Sequence, residues 1–219
     1  PDLPGFGHSD RPPLQYSASL YESFVADAIA DLSDGAPVVV ASSLTGAYAA
    51  RAAREVAVDR LLLVCPTTET AGTRRVWLRG LLRSPLVGEG LFNLLVSRPA
   101  IRYFDADHVY ADAAAIPEGV VDYEWQTAHQ PGARFGPASF VGGFLDPEAS
   151  LETLLSDVEV PVTLVWGRRA ELPPLSTGRQ VAERADTGLV VVDRAKLLPH
   201  AERPAEFVDV VREDVAATQ

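Results

Sequence analysis

The chain has 219 residues, of which 47% are hydrophobic, and its 30 acidic against 19 basic side chains give a formal charge of −11. That composition excludes a disordered chain and suits one large α/β domain or two small ones, while the acidity argues against nucleic acid, whose phosphates it would repel. No apolar run approaches the roughly 20 residues that cross a bilayer, so a membrane partner is not expected.

The chain opens on PDLPGFGHSDRP with no element before it and contains no methionine, so a preceding N-terminal segment is expected. Strand-like runs follow at Pro37–Ser42, Arg60–Cys65, Val160–Trp166 and Gly188–Val192, and helical patterns at Thr45–Val56, Ser176–Ala185 and Pro204–Val215. Strand followed by helix, repeated, predicts a parallel sheet with right-handed crossovers. Val38–Ser42 has no polar alternation, which predicts an interior strand with neighbours on both sides. Cys65 ends the apolar run LLLVCP and reads as a buried core thiol. A lone cysteine forms no intrachain disulfide and fits a cytoplasmic setting.

Residues 67–157 break the strand–helix rhythm. Leu78, Leu81 and Leu82, then Leu91, Phe92, Leu94 and Leu95, then Val120, Val121, Tyr123 and Trp125 recur at helical spacing between Pro and Gly breakers. This block is expected to be a helical cap, with Trp77, Phe92, Phe104 and Trp125 as apolar bulk. Residues 1–66 and 158–219 would then form the sheet-bearing core. No internal repeat or low-complexity tract is present.

The stretch VVVASSLTGAYAARAA at 38–53 joins a β-branched run to a strongly helix-forming one through small residues. Backbones approach closely at such a turn, so bulk is excluded there. It resembles the nucleophile elbow, G-x-S-x-G, of the α/β-hydrolase superfamily. PDLPGFGHSDRP resembles the loop after an early strand of that family, VPVTLVWG at 160–167 the late strand leading to its acid, and LLPHAERPAEF at 197–207 the segment around its histidine. Four such motifs in the family's order span nearly the whole chain. The resemblance implies an α/β fold: a mostly parallel sheet flanked by helices, with a helical cap inserted after the second strand visible in this chain, and further strands N-terminal to residue 1.

Carried over residue by residue, the resemblance places Ser43 at the nucleophile and gives the Leu44 N–H as an oxyanion donor, the second donor coming from a loop ahead of PDLPG. Ala41 and Thr45 replace the two glycines of the pattern, and Gly46 follows one place later. A serine hydroxyl needs an adjacent base oriented by a third group. Here the chain departs from the family. Where W-G-x-x-D supplies the acid, the chain reads Trp166-Gly167-Arg168-Arg169-Ala170, and at the base position it has Leu197. Glu171 and Glu69 are the available substitute acids, and His200 the substitute base, although that histidine more often packs beneath the site. It follows that no histidine should contact Ser43 and that ester hydrolysis should be slow.

His8, Trp125 and His129 are candidate substrate contacts, with a surface-loop, core and helix-capping role as the respective alternatives, and His108 is expected to be exposed. No His or Cys spacing fits a metal, and the PGFG turn lacks the context of a dinucleotide loop, so neither metal nor cofactor is expected. Two functions follow. One is a hydrolase-family enzyme for a small apolar ester, lactone or related carbonyl compound. The other is a catalytically silent protein that binds a small apolar ligand or a protein partner.

Overall fold

The computed structural model describes residues 1–70, 74–117 and 119–216. Four strands, β1 (Val38–Ser42), β2 (Arg60–Val64), β3 (Val162–Gly167) and β4 (Gly188–Val192), form one parallel sheet in the order β1-β2-β3-β4. The alternation of side chains along a strand decides what each face receives. Leu61, Leu63, Leu164 and Trp166 point into the larger core, where they meet α1 (Ala18–Leu32), α2 (Leu44–Ala52), α8 (Leu151–Ser156) and α9 (Leu175–Ala185). Val64, Val165 and Val192 point the other way, against Phe207 of α11 (Pro204–Ala216). Short α10 (Pro199–Glu202) leads into α11.

Two helices that periodicity did not single out are marked by caps. The Ser17 side chain accepts from the Leu20 N–H at the start of α1, and Ser150 accepts from Thr153 at the start of α8. α8 lies within residues 67–157, yet Leu151, Leu154 and Leu155 are buried in the sheet's larger core.

Among the described residues β1 has one strand neighbour, β2, and Val38 and Val40 are exposed; the second neighbour expected of it falls among the strands expected ahead of residue 1. β2 is the strand buried along its full length. Its first residue, Arg60, is only 2% exposed and donates to Asp214 Oδ2 on α11 at 2.8 Å. Asp214 also accepts from the Thr163 hydroxyl of β3. A buried guanidinium needs such a partner, and this one anchors α11 beneath the sheet.

Between β2 and α8 lie α3 (Val76–Arg83), α4 (Gly88–Leu95), α5 (Arg98–Phe104), a π-helical turn (Asp105–Val109), a 3₁₀ turn (Ala113–Ala115), α6 (Val120–Ala128) and α7 (Phe135–Val141). No strand occurs there among the described residues. This block has its own small core of Leu82, Phe92, Ala133 and Ala138. Phe92 is therefore core, and Trp125 is half-buried, but Trp77 and Phe104 are exposed and add nothing to it. Helical spacing identified these residues without indicating which face of each short helix turns inward.

Candidate active site

Ser43 occupies the junction of β1 and α2 with φ 56° and ψ −133°, a backbone conformation that residues with a Cβ rarely adopt. Its N–H continues the β1–β2 ladder by donating to Val64 O at 2.9 Å, while its carbonyl accepts from Gly46 N at 3.0 Å and Thr67 N at 3.3 Å. The backbone is thus fixed from both sides, and the Ser43 side chain makes no capping bond to α2. Leu44 begins α2, so its N–H is one of those a helix leaves without an intrahelical acceptor. The crowding of the elbow falls on Gly46, where a Cβ would lie 3.0 Å from Pro66 Cβ. Thr45 stays partly exposed, which explains how threonine is accommodated where the family pattern has glycine.

The segments expected to carry acid and base lie at the ends of β3 and β4 and are fastened to one another. Arg168 N donates to Val192 O, and Arg169 N to Ala195 O. A Cβ at Gly167 would sit 2.0 Å from Lys196 O, so only glycine permits that approach. Ala170, where the acid is expected, is buried. Leu197, where the base is expected, packs against the larger core and donates its N–H to Val109 O at 3.1 Å. Glu202 accepts from Lys196 N and Ala111 N, each at 2.6 Å, and so ties this loop to the helical block.

The substitute partners are not assembled around Ser43. Glu171 is 68% exposed, and its Oε2 lies 3.5 Å from the ammonium of Lys196, which also donates to Asp107 O. His200, on α10, turns its ring edge to Phe207, and its Nδ1 is buried without a partner. Burial lowers its pKa by disfavouring the charged ring. Glu69 is exposed in a turn closed by Thr67. Among the described residues no hydrogen bond joins Ser43 Oγ to any histidine or carboxylate.

The expected substrate contacts cluster on α6. The exposed His8 meets Tyr123 edge-on at 5.5 Å between ring centroids. His129 stacks on Trp125 at 4.4 Å and its Nδ1 lies 2.7 Å from Trp125 O, in the helix-terminal role, while the Arg98 guanidinium covers the Trp125 ring at 3.8 Å. His108 is half-buried, not exposed, with its ring against Phe104.

Sequence reading missed a group of carboxyls beside the base loop. Asp105 is buried with Oδ2 unpartnered, and burial raises its pKa. Burial, with the Asp105 charge adding to it, lifts Glu124 to about 7. These residues sit in separate turns of the helical block, and only the fold brings them together. Cys65, fully buried, is pushed up to about 12 by burial and stays a thiol. No group of three or more His, Cys, Asp or Glu among the described residues could hold a metal. A cavity of about 490 Å³ lies between α1, α2 and α8. It opens beside Arg51 and Arg54 at the far end of α2 from Ser43.

A parallel sheet, an elbow serine and a helical block between the second and third strands define the α/β-hydrolase class. The α/β hydrolase family matches residues 1–210, and the chain belongs to it. Uncharacterised proteins of Mycobacterium bovis and Mycobacterium tuberculosis are 24% identical to it over 233 residues, a match that takes in all of this chain and 67% of theirs. A bromoperoxidase from Bacillus anthracis superposes with a TM-score of 0.75 at 15% identity, over 98% of this chain and 80% of its own. The epoxide hydrolase CorEH gives 0.76 at 17%, over 100% and 81%. A meta-cleavage product hydrolase from Pseudomonas fluorescens IP01 gives 0.74 at 19%, over 100% and 79%. At these identities the likeness establishes the fold. No helix among the described residues is long and apolar enough to cross a membrane.

Proposed function

We propose that the protein is a hydrolase-family enzyme that takes a small apolar ester, lactone or related carbonyl compound at Ser43, beneath the helical block, with a site departing from the usual triad. The observation that carries this reading is the backbone of Ser43, at φ 56° and ψ −133°. A serine in that conformation costs on the order of 1–3 kcal/mol, and such strain persists only where surrounding structure holds it. Strain at that place presents an uncapped hydroxyl beside the free Leu44 N–H, an arrangement suited to receiving a carbonyl.

The reaction is limited by what stands opposite. Attack by Ser43 Oγ on a carbonyl carbon requires a base to take its proton, and Leu197 has no titratable group. Glu171 and His200 are the substitute acid and base that the sequence offers. Glu171 faces Lys196 and His200 faces Phe207, so both would have to be redirected when substrate binds. Without that movement, polarisation by the oxyanion donors alone gives roughly 10³–10⁴-fold acceleration over water, far below an intact triad.

A second reading, a silent protein binding a small apolar ligand or a protein partner, is favoured by one observation: Ala170 is buried and Leu197 packed where acid and base would stand. Steady-state turnover of short-chain nitrophenyl esters and γ-lactones separates the two readings. Slow turnover that Ser43→Ala abolishes is the expected result. Binding of these compounds with no turnover, or turnover unchanged in Ser43→Ala, overturns the enzymatic reading.

A further inference from the structure

The π-helical turn Asp105–Val109 is where the helical block meets the loops that carry Ala170 and Leu197. Its last carbonyl, Val109 O, accepts from Leu197 N at 3.1 Å, and Asp107 O accepts from the Lys196 ammonium. The residues just after the turn continue this seam. Ala111 N donates to Glu202, which also takes Lys196 N, and Ala111 O accepts from the Arg169 guanidinium at 3.4 Å. The turn itself is closed by Tyr110 N donating to Asp105 O at 2.9 Å.

The residue whose carbonyl closes the turn also buries an acid. Asp105 is 2% exposed, and its Oδ2 has no hydrogen-bond partner among the described residues. Glu124 of α6, half-buried, lies within reach of its charge, and both carboxyls act with Glu202 on the buried Tyr110 hydroxyl. The other charged groups on the elements around them are engaged elsewhere or lie in water. Arg98 pairs with Asp122 and covers Trp125, and Arg102 is exposed. Lys196 meets Glu171, His108 lies 3.4 Å from Asp107, Asp112 caps the 3₁₀ turn, and His200 turns to Phe207. No cation among the described residues lowers the pKa of Asp105 or Glu124. Ionising both in place sets like charges together in a poorly solvated interior, and a proton on the pair removes that conflict.

We propose that Asp105 and Glu124 form a proton-operated latch between the helical block and the Leu197 loop. With a proton shared by the pair, Asp105 stays enclosed and the π turn keeps its bonds to Lys196 and Leu197. When both ionise, the Asp105 carboxylate is drawn toward water. Its carbonyl closes the turn, so that movement carries Val109 O and Tyr110 N with it, and the seam loosens while the sheet stays intact. Irregular π turns often mark such working positions in helices. Burial raises both groups, Glu124 to about 7 with Asp105 adding to the effect. A raised carboxyl pKa makes the seated state the protonated one, so the latch is closed in mild acid and opens as pH rises through about 7. It operates whatever the chemistry at Ser43.

Amide hydrogen exchange at pH 6 and pH 8, expressed as protection factors that remove the intrinsic effect of pH, tests the latch. In the parent, protection at Tyr110, Ala111, Lys196 and Leu197 should fall about fivefold between the two. Leu61 and Ser43, whose amides belong to the sheet ladder, should keep theirs. In Glu124→Gln, and in Asp105→Asn with Glu124→Gln, the fall should vanish. Glu124 is half-buried, so its single substitution carries the test if the double variant does not fold. Equal protection at both pH values in the parent, a fall shared equally by Leu61 and Ser43, or a fall of the same size in Glu124→Gln overturns the proposal.

Discussion

On one side of the candidate site, Ser43 is held where a strand meets a helix, its N–H in the β1–β2 ladder and its carbonyl shared by two donors. On the other side, residues 168–172 and 194–198 are loops fastened to each other and to the helical block, and they carry Ala170 and Leu197 where the family resemblance leads one to expect acid and base. Elbow geometry is imposed by backbone crowding and by the sheet, so it survives as long as the sheet does. A triad's acid and base are single side chains on loops. Replacing them with apolar residues leaves the fold content, and Leu197 in fact contributes to the core. Geometry and chemistry can therefore part company within one site.

The largest effect expected from breaking either side lies beneath the sheet. Asp214→Ala removes the carboxylate opposite the Arg60 guanidinium, 2% exposed as a residue, and leaves it Asp59 and the main-chain carbonyl of residue 214. Breaking a buried pair of this kind costs about 3 kcal/mol or more. A fall of that size in the urea unfolding free energy, shared by all probes, is expected.

Glu202→Gln acts on the loop side. The amide can accept from only one of Lys196 N and Ala111 N where the carboxylate takes both. A loss of about 1–2 kcal/mol is expected. Hydrogen exchange should quicken at Lys196 and Ala111 while the amides of β1 and β2 keep their protection.

A smaller effect is expected from pH. Glu124 titrates at about 7 in the folded chain against 4.5 ordinarily, because burial and then Asp105 disfavour its charge. The folded state binds the extra proton between those values, so this group's contribution is fully present below pH 4.5 and is lost as pH rises through 7. Its partial exposure screens the effect to about 1 kcal/mol. Stability measured from pH 5 to 8 should decline less steeply in Glu124→Gln than in the parent.

The parallel sheet was legible because its strands are continuous apolar runs bounded by helix-forming stretches, and Gly188–Val192 matches its strand residue for residue. The elbow was legible as a run of small residues. The orientation of α3 was not. Its leucines and arginines satisfy helical spacing whichever face turns inward, and only the packing of Leu78 and Leu82 into the block's small core, with Arg79 and Arg83 on Phe144 and Phe135 more than 50 residues away, settles the choice. The Glu202 tie and the Asp105–Glu124 group likewise join residues from distant turns, for which a linear sequence carries no local signal.

On the proposed function, the elbow keeps its catalytic geometry without its usual chemical partners. A fluorophosphonate probe, which reacts with activated serines, tests it in the parent, in Leu197→His with Ala170→Asp, and in that double variant with Ser43→Ala added. No labelling of the parent, labelling of the double variant, and loss of that labelling when Ser43 is removed are expected. Strong labelling of the parent that both Ser43→Ala and His200→Ala abolish would contradict it, making His200 a working base in the chain as it stands.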